Sequence, residues 1–118
     1  MSPLANTIPT AATGSRSTPL VHAFIRALLL ANDPQGYISL CRAIAEAVTP
    51  GYKGIAAPLL ILAGEEDKSA PLDGVAAIMG AYGSAKKELR ILQGVGHWHV
   101  LEAWEEVQGF IGGFLGEI

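Results

Sequence analysis

Apolar residues recur at helical spacing in the first half of the chain and condense into continuous runs in the second. Thr18-Pro19 has the form of an N-cap followed by proline at the first helical position, and the apolar stripe Val21, Phe24, Ile25, Leu28 and Leu29 follows it. Asn32-Asp33-Pro34 breaks this helix and starts another. The second stripe, Tyr37, Ile38, Cys41, Ile44, Ala45 and Val48, is expected to be buried and ends at Thr49-Pro50-Gly51. From Pro58 to Ala63 the periodicity gives way to an unbroken apolar run, the mark of a strand covered on both faces of a parallel sheet. A loop from Gly64 to Pro71 leads to a helix around Val75, Ile78, Met79 and Tyr82, stopped by Gly83. A second strand from about Glu88 to Leu92 follows, then a closing helix from about Glu102 to Leu115 with Val107, Phe110, Ile111 and Phe114 inward. Strand, helix, strand implies a right-handed parallel crossover. Two strands this apolar expect neighbours on each side, so the pattern has the look of one end of a larger sheet.

Residues 1–17, rich in Ser, Thr, Ala and Pro, are expected to form a disordered or irregular tail. Their composition has something of a transit peptide, yet only Arg16 and Arg26 supply positive charge ahead of the first acidic residue, Asp33. The expected division is therefore a tail over 1–17, a helical segment over 18–52 and an α/β segment over 53–118.

Composition narrows the function classes. Of 118 residues, 50% are apolar and 16% charged, which is a globular composition of single-domain size. Eight Lys and Arg residues, scattered singly, and a net charge of −3 provide no basic stripe for a row of phosphates, so nucleic-acid partners are not expected. The longest helical apolar run, Ala27 to Ala31, falls far short of the roughly 18 residues of a membrane span, so a soluble protein is expected. The single Cys41 has no disulfide partner and no metal-ligand spacing; no metal or cofactor is expected, and a cytoplasmic location is.

The candidate chemistry sits at the two strand ends, Pro58-Leu-Leu-Ile-Leu-Ala-Gly-Glu-Glu-Asp67 and Leu89-Arg-Ile-Leu-Gln-Gly-Val-Gly-His97. The chain between them is long enough for one loop, one helix and the next parallel strand, so both side chains could emerge on the same rim. There Asp67 could hold one imidazole nitrogen of His97 while the other takes a proton from a nucleophile. Taken singly, Asp67 is one of three consecutive loop carboxylates with Glu65 and Glu66, and His99 is as available as His97. The run Gly94-Val95-Gly96 favours His97, because glycine lets the backbone turn sharply and present the ring. Trp98 is a candidate pocket residue; the alternative for it and for Trp104 is packing of the final helix on the sheet.

The segments Leu59-Leu-Ile-Leu-Ala-Gly-Glu-Glu-Asp67-Lys-Ser-Ala-Pro71 and Gly94-Val-Gly-His97-Trp-His-Val-Leu-Glu102-Ala-Trp-Glu-Glu-Val107 resemble the last two strand segments of the α/β-hydrolase family, in the branch of 3-oxoadipate enol-lactonase-like hydrolases. The resemblance covers about half the chain and implies the C-terminal part of that fold, two parallel strands with flanking helices plus the end of a helical cap. It further implies Asp67 as catalytic acid, His97 as catalytic base, Glu102 in a structural role and a small ester or lactone substrate hydrolysed through an acyl-enzyme. The departure concerns the nucleophile, which the family carries on a G-x-S-x-G elbow upstream of the acid. Ser15, Ser17, Ser39, Ser69 and Ser84 all lack the flanking glycines, and Cys41 reads as a packing residue. The expectation is thus a truncated hydrolase holding the acid and base of a triad, inactive alone. The alternative is a non-catalytic interaction module that pairs through an open sheet edge. An enzyme using His97 with Glu65 or Glu66 ranks last.

Overall fold

The computed structural model describes all residues, 1–118, as helices gathered around a two-stranded parallel sheet. In chain order the elements are α1 (Ser2–Ala11), α2 (Pro19–Ala31), α3 (Pro34–Ala45), a 3-10 turn (Tyr52–Gly54), β1 (Leu59–Gly64), α4 (Leu72–Ala81), β2 (Lys87–Leu92), α5 (His99–Glu102) and α6 (Trp104–Gly116). No helix is long and apolar enough to cross a membrane.

Local chemistry explains most boundaries. The Thr18 hydroxyl accepts from the Val21 amide as its sequence predicts, and at the expected break the Asp33 carboxylate caps the restarted helix by accepting from the Gly36 amide; each cap is followed by a proline in the first turn. The sheet runs in register from Leu59 opposite Lys87 to Gly64 opposite Leu92, so the two strands end at the same level. Pairing continues past them: the Glu65 amide donates to the Leu92 carbonyl and the Glu66 amide to the Val95 carbonyl. The loops carrying Asp67 and His97 are thereby bound side by side.

Four expectations are corrected. Residues 1–17 are not an irregular tail, because Ser2–Ala11 form α1 despite Pro9 in its interior. Tertiary packing overrides weak propensity here: Ala5, fully buried, sits against buried Ile25 and Leu29 of α2, while the Thr7 and Thr13 hydroxyls donate back to the Pro3 and Pro9 carbonyls. The apolar stripe of the second helix is not buried. In α3 and just beyond it, Ile38, Ile44, Val48 and Cys41 are exposed, Ile44 at 76% and Val48 at 89%, since no other element lies over that face. Cys41 is therefore not a packing residue. Of the preceding stripe, Ile25 and Leu29 are buried whereas Phe24 and Leu28 are exposed. The closing helix forms as α6, preceded by the separate short α5, but Ile111 is exposed rather than inward and Trp104 faces solvent rather than packing on the sheet.

Only 14 of 118 residues are buried, and the apolar ones that pack together form two small clusters, of four and three residues, rather than one core. One joins Leu92, Val95, Ala103 and Val107 beneath the sheet ends; the other is the α1–α2 contact, flanked by Tyr37, Trp98 and Leu101. Val95 belongs to the first and Trp98 touches the second, so the loop bearing His97 is suspended between them.

Candidate active site

Asp67 follows β1 by three residues and folds back on its own loop, where one carboxylate oxygen accepts the amides of Ser69 at 2.8 Å and Ala70 at 2.9 Å. This turn aims the second oxygen across the rim. It meets Nδ1 of His97 at 2.9 Å. The Asp67 side chain is 4% exposed and that of His97 is 48% exposed, so the carboxylate is enclosed while the ring stays open on its far side.

Burial pushes the Asp67 carboxyl up, but the bond to His97, the two loop amides and the charge of the imidazole together outweigh it and hold it below its ordinary value. An ionised Asp67 can only accept, which assigns the proton to His97 Nδ1. In the neutral ring Nε2 then carries the lone pair, and it has no hydrogen-bond partner in the protein. The pair is chemically an oriented general base with an open acceptor nitrogen.

Beside the ring lies a concavity of about 380 Å³, walled by Ile8, Leu29, Leu40 and Trp98 with Asn32 and Ser69 as polar members. Trp98 thus faces this hollow and the α1–α2 cluster, not the joint between α6 and the sheet. A larger cleft of about 670 Å³, between Thr49–Lys53 and Gly80–Gly83, contains neither Asp67 nor His97.

The remaining candidates are placed elsewhere. His99 lies in the groove along β1 and α6, with Nδ1 buried and unpartnered. Glu65 accepts the Gly94 amide at 2.9 Å, and Glu66 accepts both the amide and the hydroxyl of Ser15, whose hydroxyl bond is the main reason its carboxyl is held low. Neither touches the imidazole. No serine or cysteine hydrogen-bonds the ring: Ser15 is held by Glu66, Ser84 donates to the Lys86 carbonyl, and Cys41 is exposed on α3.

What sequence reasoning missed is the stretch joining α1 to α2. The Ala12 carbonyl accepts the His97 amide at 2.8 Å, the Gly14 amide donates to Glu102 at 2.7 Å, and the Arg16 amide donates to the Gly94 carbonyl at 2.9 Å. The Arg16 guanidinium also pairs with Glu106. The sole local hint was the Thr-Gly-Ser turn chemistry at 13–15.

No protein-family model matches the chain, and no curated protein matches it in sequence. Solved structures do. A thermophilic esterase from Thermogutta terrifontis superposes with a TM-score of 0.86 at 21% identity, covering 97% of this chain and 43% of its own. The fold is the C-terminal part of an α/β-hydrolase. A serine hydrolase involved in carbazole degradation, the CarC enzyme, gives a TM-score of 0.79 at 15% identity, covering all of this chain and 48% of its own. Est816, an N-acyl homoserine lactone degrading enzyme, gives 0.73 at 24% identity with 97% and 52% covered. The chain therefore spans about half the length of these structures, all of them hydrolytic enzymes by name.

Proposed function

We propose that this chain provides the acid and base of a Ser-Asp-His triad for carboxylic ester or lactone hydrolysis, in the manner of the 3-oxoadipate enol-lactonase-like branch. The observation carrying this reading is the 2.9 Å bond from His97 Nδ1 to buried Asp67 at the paired tips of two parallel strands, with Nε2 open beside an apolar hollow. An esterase and a lactone-degrading enzyme among the structural neighbours support small ester or lactone substrates. The segment over 18–52 serves as the end of a cap, with Trp98 in the pocket wall.

In the mechanism, His97 Nε2 accepts the proton of a serine hydroxyl as that oxygen attacks the substrate carbonyl, and Asp67 stabilises the resulting imidazolium. His97 then gives the proton to the departing alkoxide, leaving an acyl-serine. Water repeats the sequence, with His97 again taking a proton and returning it to the serine oxygen. The serine and the oxyanion donors come from a nucleophile-bearing part of the fold, because no G-x-S-x-G occurs among these 118 residues. Alone the chain is inactive.

The test is turnover of p-nitrophenyl esters by the 118-residue chain, alone and joined to the nucleophile-bearing part of an α/β-hydrolase. The expected result is no His97-dependent turnover alone, and activity on joining that His97→Ala abolishes. Turnover by the chain alone that His97→Ala removes would overturn the need for an added nucleophile.

A second reading, a non-catalytic module that pairs through its open sheet edge, is favoured by the apolar groove of about 460 Å³ along Leu59, Leu60, Leu62, Val107, Ile111 and Phe114. Concentration-dependent dimerisation without any esterase activity on joining would favour it.

A further inference from the structure

The loop from Gln93 to Trp98 lies outside the helices and strands, and four of its amides find acceptors outside the helix and strand ladders. The Gly94 amide goes to Glu65, the His97 amide to the Ala12 carbonyl, and the amides of Gly96 and Trp98 both go to Glu102. Glu102 does more than close a turn. Its Oε1 takes Trp98 at 3.1 Å, while its Oε2 takes Gly96 at 3.1 Å and, from the other end of the chain, Gly14 at 2.7 Å. One carboxylate therefore binds the residues immediately before and after His97 and ties both to the stretch between α1 and α2.

The approach of the two stretches is close enough to require glycine on both sides. A Cβ at Gly96 would stand 2.6 Å from the Gly14 nitrogen and 2.6 Å from the Thr13 carbonyl carbon, and a Cβ at Gly14 would meet the Gly94 carbonyl. Backbone cannot yield as a side chain can. The His97 side chain, 48% exposed, is by contrast only partly held by packing, so the direction of its ring is set by its backbone and by Asp67. A backbone displacement that lengthened the 2.9 Å bond to Asp67 would release the tautomer along with the orientation.

We infer that Glu102 is a positioning residue for His97, and that it acts by clamping residues 12–14 onto the histidine loop, so that the His97–Asp67 pair forms only while that strap is docked. The inference rests on His97 as the base, but its test reads the imidazole directly and needs no turnover.

The experiment is proton and nitrogen NMR of the 118-residue chain, following the downfield Nδ1–H resonance of His97 and hydrogen exchange of the Gly14, Gly96 and Trp98 amides. Glu102→Gln turns an amide group toward donors the carboxylate accepts; the expected result is loss of the Nδ1–H resonance and exchange at Gly14 and Gly96 faster by about tenfold or more. Val75→Ala, a truncation on α4, controls for general loosening and should leave the resonance in place. Retention of the resonance and of slow exchange in Glu102→Gln overturns the inference, as does equal loss in Val75→Ala. If Glu102→Gln does not fold, the wild-type exchange rates decide: Gly14, Gly96 and Trp98 opening together supports the clamp, and a freely exchanging Gly14 beside a protected Gly96 refutes it. Failure of ester hydrolysis on joining a nucleophile-bearing part leaves these signals untouched, so the two readings fail separately.

Discussion

The histidine loop and α3 are both short pieces of chain next to the same hollow, and they are held in opposite ways. Around His97, amides are taken up by named acceptors, and glycines allow backbone to touch backbone. Along α3 the helix is internally complete, with an Asp33 cap, yet it buries no residue at all. The lesson is that order at this site comes from polar satisfaction and close backbone contact, whereas amphipathic patterning by itself secured only the partial burial of Tyr37 on α3.

The widest separation between the regions should appear on truncating apolar side chains. Leu92, 1% exposed beneath the loop, is expected to cost about 2–5 kcal/mol as Leu92→Ala in urea unfolding. Loss of less than about 1 kcal/mol would mean that the cluster beneath the sheet ends does not support the loop.

Glycine substitutions invert the sign between regions. Gly96→Ala, which forces a Cβ against the Gly14 and Thr13 backbone, should destabilise by about 3 kcal/mol, while Gly112→Ala on open α6 should stabilise by about 0.5–1 kcal/mol. Thermal midpoints measured on the pair would break the comparison if both moved the same way.

Acid should sharpen it further. Because the folded carboxyl of Asp67 is lowered from 3.8, its contribution to stability is present above that value and is lost as pH falls through the lower folded one. Wild type and Asp67→Asn should therefore differ in urea midpoint at neutral pH and converge in strong acid. A gap that persists unchanged at the lowest pH would show that Asp67 contributes by shape rather than by charge.

The smallest effect belongs to α3. Ile44→Ser, at a position 76% exposed, should change stability by no more than about 0.5 kcal/mol. A change approaching that of Leu92→Ala would reveal that α3 is packed in solution.

Legibility in the sequence followed the range of the interactions. The cap at Thr18, the break at Asn32-Asp33-Pro34, and the strands at Leu59–Gly64 and Lys87–Leu92 were readable because each depends on neighbours a few positions away. Asp67 and His97 were readable as partners because a parallel pair linked by one helix places its two ends on one rim. The role of Gly14 was not, since it meets Glu102 across 88 positions and any residue's amide can be donor in such a bond. Helix α1 was hidden for the same reason: its stability comes from Ala5 and Ile8 packed against α2, not from the propensities of its own residues.

By itself, then, the sequence determined the α/β order, the strand ends, the Thr18 cap, the break before α3 and the carboxylate–imidazole pair, all through periodicity and local hydrogen-bond chemistry. Tertiary structure alone decided that residues 2–11 are helical, that the apolar stripe of α3 faces water, and that Glu102 joins residue 14 to the histidine loop. Those outcomes depend on which surfaces meet in space, and contact between distant backbone groups leaves no periodic trace in the side chains that a sequence records.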